Sequence, residues 1–67
     1  MNRIRKTAAE LVRHIDRALR ELYETKPNEF EKGQIYAYVE CLEVLQLNRG
    51  IRASLLDYDI EEKYPLP

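Results

Sequence analysis

Apolar side chains recur every three or four residues through the first third of the chain. They stand at Ile4, Ala8, Leu11, Ile15, Ala18 and Leu22, with Val12 and Leu19 beside this row. Such spacing puts the apolar side chains on one side of a helix. The pattern predicts an amphipathic helix over residues 3–25. It ends before Pro27, because proline lacks an amide hydrogen and disfavours helical geometry at the preceding residue.

A second helix is predicted over residues 29–48. Asn28 and Glu31 have the spacing of a capping box at its start, and Gly50 is expected as its left-handed C-terminal residue. Gly33 disfavours a helix. We therefore expect either that the regular helix begins after Gly33 or that another backbone approaches closely there. The short connection between the two helices predicts an antiparallel hairpin.

The pattern beyond residue 50 is less regular. Asp59 and the acidic residues after it predict the start of a short helix over residues 59–64, and residues 65–67 are expected to be extended. The alternation of Leu56, Tyr58 and Ile60 would equally suit an extended segment. The predicted fold is therefore a single all-α domain, a two-helix antiparallel hairpin followed by a short C-terminal helix.

The apolar arc of the second helix is wider than one neighbouring helix can cover. It spans about 220° of a helical wheel, whereas one neighbour covers about 100°. We therefore expect a homodimer in which two hairpins form a four-helix bundle with the second helices near its centre. The residues expected in the core and dimer interface are Ile35, Ala37, Tyr38, Cys41, Leu42, Val44 and Leu45.

Composition limits the classes of protein that this chain can belong to. The 67 residues include 11 Lys and Arg against 12 Asp and Glu, for a formal net charge of −1. No apolar run approaches the roughly 20 residues that cross a bilayer, and the N-terminal residues lack the apolar stretch of a secretory signal. We expect a cytoplasmic protein that does not enter a membrane.

No catalytic, cofactor-binding or metal-binding residue is predicted. The two glycines, Gly33 and Gly50, are isolated and do not form a phosphate-binding loop. His14 has Glu10 one turn earlier but no further ligand in a metal-site spacing. Cys41 lies in the middle of a helix among apolar residues, where a small core side chain is expected.

These observations favour a small non-enzymatic regulatory or adaptor protein that acts by binding an as yet unidentified protein. Tyrosine is enriched where an apolar surface meets a partner, and exposed arginines steer acidic partners. The possible contact residues are Tyr36, Leu47, Tyr58, Tyr64, Arg13, Arg17 and Arg20.

A row of basic residues on the first helix supports an alternative function, a nucleic-acid-binding regulator. The row consists of Lys6, Arg13, Arg17 and Arg20, and such a row could follow a phosphate backbone. Glu10 and Glu24 interrupt it, and the second helix is acidic. Protein binding is therefore the leading hypothesis.

A second alternative comes from a limited resemblance. Ser54 and Asp57 are similar to the Ser-x-x-x-Asp motif of the small sporulation aspartyl-phosphate phosphatases, which are short bacterial helical hairpins. Here the two residues are three positions apart, not four, and lie beyond the long second helix. The resemblance covers about ten residues, and it implies a phosphatase in which Asp57 takes part in turnover.

Overall fold

The computed structural model of the protein describes the backbone of residues 2–67 and the side chains of residues 7–67. Four helices follow one another: α1 (Asn2–Glu24), α2 (Glu29–Gln46), α3 (Arg49–Leu55) and α4 (Ile60–Lys63). The all-α prediction and the α1–α2 hairpin are confirmed. The molecule is elongated, with principal extents of 39 × 19 × 15 Å.

The start of α2 agrees with the prediction. The side-chain oxygen of Asn28 accepts a hydrogen bond from the amide of Glu31 at 2.8 Å, and the Glu31 carboxylate accepts one from the amide of Asn28 at 3.0 Å. This capping box satisfies two amides that the first turn of a helix leaves without partners. The helix ends at Gln46, two residues earlier than predicted.

Both glycine predictions are wrong. Gly33 lies inside α2, and a Cβ atom added there would meet nothing within 4 Å. The regular helix therefore includes this residue, and no other backbone approaches it. Gly50 lies in the first turn of α3 and does not have a positive φ angle.

The helix α3 was not predicted, because Gly50 suggested the end of a helix. The cap of α3 is Asn48, whose side-chain oxygen accepts a hydrogen bond from the amide of Ile51 at 3.1 Å. At the next helix, Asp59 caps α4 as expected by accepting from the amide of Glu62 at 3.2 Å. The helical residues of α4 span 60–63, a shorter range than the predicted 59–64.

The core lies on one side of α2 and draws equally on three parts of the chain. Its buried residues are Val12, Ile15 and Leu19 of α1, Ile35, Val39 and Leu42 of α2, and Leu56, Ile60 and Tyr64 of the C-terminal segment. The apolar row of α1 is therefore shifted from the predicted one. Val12 and Leu19 are central, whereas Leu11 is 44% exposed.

The side chain of Gln46 attaches the C-terminal segment to α2 by hydrogen bonds. The side-chain amide of Gln46 donates hydrogen bonds to the carbonyl of Leu56 at 2.9 Å and to that of Tyr58 at 2.7 Å. Both carbonyls belong to the turn between α3 and α4. Because Gln46 lies in the last turn of α2, these bonds hold the C-terminal segment over the core side of that helix.

Candidate interaction surface

The candidate site is the side of α2 that faces away from the core. It is formed by Phe30, Gly33, Ala37, Cys41 and Val44, which we call the outward face. All five residues are exposed. A helix turns by about 100° per residue, so side chains two positions from a buried residue point nearly the opposite way. Ala37 therefore lies opposite both Ile35 and Val39, which are in the core.

The large side chains of this surface are far from buried. Phe30 is 75% exposed and Val44 is 59% exposed, and Leu47, just beyond the end of α2, is 82% exposed. Between the two ends lie the small residues Gly33, Ala37 and Cys41, so side chains project least in the middle of the outward face.

The structure divides the predicted core and interface residues into two sets. Ile35 and Leu42 are buried, and Tyr38 and Leu45 are partly buried against the same core. The remaining three residues are exposed on the outward face: Ala37, Cys41 and Val44. The hairpin and its C-terminal segment therefore cover about half of the wide apolar arc of α2 and leave the rest open.

Two residues of the outward face were missing from the predicted interface. Phe30 and Gly33 stand seven and four positions before Ala37. This spacing is that of one helix face, so the periodicity alone could have identified both. Gly33 was overlooked because it was interpreted as a weak point of the helix.

The structure places the two predicted partner contacts Tyr36 and Leu47 in different environments. The hydroxyl of Tyr36 donates a hydrogen bond to the carbonyl of Pro67 at 2.7 Å, and the hydroxyl of Tyr23 donates to the carbonyl of Pro65. The residues after α4 are thus held across the hairpin by two tyrosines. Leu47 remains largely exposed and extends the apolar surface at the end of α2.

Tyr64 is part of the chain's own core, which corrects its assignment as a partner contact. It is 4% exposed, its hydroxyl donates a hydrogen bond to Oδ1 of Asp16 at 2.6 Å, and its ring stacks on that of Tyr23 with centroids 6.2 Å apart. Burial, and then the hydrogen bond to Asp16, raise the pKa of Tyr64 well above its usual value.

Tyr58 also packs inside the molecule. The Nζ atom of Lys63 lies 4.7 Å from the centre of the Tyr58 ring, a cation–π contact. The Tyr58 hydroxyl is buried and, among the described atoms, has no hydrogen-bond partner. Burial, followed by the negative charge of Asp16, raises the pKa of Tyr58. The Tyr58 ring itself packs against the core.

The basic row of α1 is open to solvent at Arg13, Arg17 and Arg20, whereas the side chain of Lys6 lies outside the described residues. Among residues 7–67 the one salt bridge joins Lys32 to Glu29 at 3.2 Å. The three arginines therefore present positive charge on α1, whereas the outward face lies on α2. An anionic surface of a protein or a nucleic acid could approach these arginines.

Acidic groups meet where α2 contacts α4. The pKa of Glu43 is raised, first by a hydrogen bond with the Glu61 carboxyl group, then by burial and by the negative charges of Glu61, Glu40 and Asp59. Among the described residues, no group of three or more His, Cys, Asp or Glu side chains could hold a metal ion.

Ser54 and Asp57 are not arranged on a long helix. The Ser54 hydroxyl donates a hydrogen bond to the carbonyl of Gly50 at 2.7 Å, one turn earlier in the short helix α3. Asp57 is exposed in the turn that follows. The phosphatase motif to which these residues were compared lies on a second long helix, so their placement here differs from that arrangement.

Comparisons with protein-family models, with curated proteins and with solved structures return no significant match. None of the helices described over residues 2–67 combines the length and apolar character needed to cross a bilayer.

Proposed function

We propose that this protein is a small non-enzymatic regulatory or adaptor module that acts by binding another polypeptide through the outward face of α2. The observation that carries the proposal is the exposure of Phe30 and Val44 at the two ends of a continuous apolar helix face. The core, by contrast, is complete without this face, since three parts of the chain already contribute equally to it.

Water exposure of this surface has a cost that association would remove. Burying apolar area contributes about 25 cal/mol per Å², and contiguous exposed apolar patches rimmed by polar residues mark interaction sites. An exposed apolar helix face is well suited to a second helix, which can pack its own side chains between Phe30 and Val44. The arginines of α1 would add long-range attraction to an acidic partner.

The proposal is tested by capture of binding partners from a cell lysate with the immobilised full chain and two variants. Val44→Glu places a charge in the outward face and is expected to lose the captured protein. Leu11→Glu makes the same change at an exposed apolar residue of α1 and is expected to retain it. Both side chains are exposed, so both variants should keep the wild-type helix content in circular dichroism.

Equal capture by wild type and Val44→Glu would contradict a role for the outward face. If the captured protein is a second copy of this chain, it also counts as a partner. Mass spectrometry can detect this case when the immobilised chain carries a tag and the chain in the lysate does not.

A further inference from the structure

We propose that Tyr23 and Tyr36 form a binding surface for an extended, proline-containing segment of another protein, and that residues 65–67 of this chain occupy the surface until such a segment displaces them. We call these two residues the tyrosine pair. The tyrosine pair is separate from the outward face, so the inference goes beyond the proposed function. It follows from the way in which residues 65–67 already bind there.

Residues 65–67 have the sequence Pro-Leu-Pro and belong to no helix. Proline fixes its own φ angle and keeps the preceding residue extended. Tyr64 and Leu66 both precede a proline, so the segment favours a stiff polyproline II conformation before it binds anything. Backbone groups in this conformation make no hydrogen bonds with one another, so the carbonyl oxygens are free to accept from another group.

The tyrosine pair supplies the donors for these carbonyl oxygens. The hydroxyl of Tyr23 donates to the carbonyl of Pro65, and the hydroxyl of Tyr36 donates to that of Pro67 at 2.7 Å. Proline has no amide hydrogen, so its backbone can only accept. Aromatic side chains that bind preformed proline-rich segments are a recurrent mode of peptide recognition. The contact in this chain has the chemistry of that mode, with the ligand supplied by the chain itself.

The position of Tyr23 does not depend on residues 65–67 alone. Its ring stacks on that of Tyr64 with centroids 6.2 Å apart, and Tyr64 is held in the core and bonded to Asp16. The pKa of Tyr23 is raised first by burial and then by electrostatic interaction with Tyr36, as expected for two hydroxyl groups that lie near each other. The tyrosine pair is therefore arranged in advance for a ligand from another protein.

The attachment of residues 65–67 is readily reversed. All three residues are exposed, and so are the two hydrogen bonds from the tyrosine pair, where water can replace either partner. The buried anchor of the C-terminal segment is Tyr64 instead. We therefore expect residues 65–67 to detach and rebind while the core stays folded.

A ligand from another protein can make contacts that residues 65–67 do not make. Beside the tyrosine pair lies a surface cleft of about 470 Å³. The residues that line it are Arg20, Tyr23, Glu24, Lys63 and Tyr64. Residues 65–67 do not line this cleft, so a longer proline-containing segment can continue into it. These added contacts offset the high effective concentration of a segment that belongs to the same chain.

Peptide binding to the full chain tests this proposal. The probe is a fluorescently labelled peptide in which Pro-Leu-Pro is repeated, and the control peptide has alanine in place of every proline. Fluorescence anisotropy follows each peptide as the protein is added up to about 1 mM, because the tethered segment competes at an effective concentration of this order. The proline peptide is expected to bind, and the alanine peptide is expected not to bind.

The occupancy of the surface by the chain's own segment is tested with Pro65→Gly and Pro67→Gly in one chain, which we call the glycine variant. Glycine removes the stiffness that prepares the segment for binding, so the tyrosine pair is open in a larger fraction of molecules. Apparent affinity rises with the open fraction, and the proline peptide is expected to bind the glycine variant more than about threefold more tightly than wild type.

The hydroxyl groups are tested within the glycine variant, where the competing segment is already weakened. Adding Tyr23→Phe and Tyr36→Phe together is expected to weaken binding of the proline peptide more than about tenfold. Adding Tyr38→Phe instead removes a hydroxyl from a tyrosine of α2 that packs against the core, and this matched control is expected to bind as before. Circular dichroism checks that each variant keeps the wild-type helix content.

Failure of the proline peptide to bind either wild type or the glycine variant would overturn the proposal. Equal binding of the alanine peptide would also overturn it, as would binding that survives the loss of both hydroxyls of the tyrosine pair. Equal affinity of wild type and the glycine variant would overturn the occupancy of the surface by residues 65–67. These outcomes are separate from the proposed function, since Val44→Glu on the outward face is expected to bind the proline peptide like wild type.

Discussion

Two tyrosines of the C-terminal segment use their hydroxyl groups in opposite ways. The hydroxyl of Tyr64 donates a short hydrogen bond to Asp16, and a hydrogen bond to a charged group is among the stronger stabilising contacts in a folded protein. The hydroxyl of Tyr58 is buried without a partner among the described atoms. Removing the two hydroxyls should therefore have different effects on stability.

We predict that Tyr64→Phe lowers the free energy of unfolding by about 1–2 kcal/mol, because it removes the bond to Asp16. Tyr58→Phe should leave the free energy of unfolding unchanged or raise it by up to about 1 kcal/mol, because it removes a hydroxyl that is buried without a bond. Urea denaturation of the two variants beside wild type measures both changes. An equal loss in both variants would contradict the hydrogen bonding described for these residues.

The sequence analysis assigned both tyrosines to a partner surface, whereas the structure buries Tyr64 and packs Tyr58 against the core. Tyrosine occurs both at partner surfaces and at the edges of cores. The contact between Tyr64 and Asp16 joins residues 48 positions apart, and no local pattern relates two such residues. By contrast, the caps at Asn28 and Asp59 depend on bonds three residues long, so the sequence predicted both correctly.

At the scale of helices, the contact between α2 and α4 brings several acidic side chains close together. The pKa of Glu43 is raised chiefly by its hydrogen bond with Glu61, so the folded state holds a proton there more tightly than the unfolded state does. The stabilisation that this proton provides is fully present below the unfolded pKa of about 4.5. It is lost as the pH rises through the higher folded-state pKa.

We predict that Glu43→Gln raises the melting temperature at pH 7 by about 1–3 °C, because it removes one of the repelling charges. The difference from wild type should shrink as the pH falls towards 4, where Glu43 is protonated. Thermal unfolding followed by circular dichroism at several pH values measures this. Glu10→Gln, which removes one exposed acidic charge of α1, is the control. A pH-independent difference between Glu43→Gln and wild type would contradict the coupling to Glu61.

The break between the two long helices could be predicted from the local sequence, whereas the buried face of α1 and the presence of α3 could not. The break at Pro27 and the start of α2 follow from local stereochemistry, and both were predicted. On α1, neighbouring apolar pairs such as Leu11 and Val12 allow two different faces of the helix to turn towards the core. Periodicity alone does not decide between these faces. In the structure Val12 belongs to the core cluster, whereas Leu11 is exposed. The helix α3 was missed because Gly50 can both end a helix and stand in its first turn.

At the scale of the whole molecule, the hairpin is covered on one side only. The C-terminal segment returns over the core side of the hairpin, where it is held by hydrogen bonds from Gln46 of α2 to Leu56 and from Tyr64 to Asp16 of α1. The opposite side keeps the outward face exposed. The width of the apolar arc predicted that α2 needs more than one neighbour. The sequence could not show which part of the arc the C-terminal segment covers, since that depends on contacts between distant residues.

The central claim is that the outward face is exposed in the folded chain and is the surface through which we propose that the chain binds another polypeptide. Cys41 reports on this directly, because its thiol is exposed on that face. The most direct measurement is the rate at which Cys41 reacts with a soluble thiol reagent in the folded chain, compared with the rate in the chain unfolded by urea. We predict similar rates in the folded and the unfolded chain, because the Cys41 thiol is open to solvent in both. A Cys41 thiol that reacts only as fast as the folded chain unfolds would contradict the account.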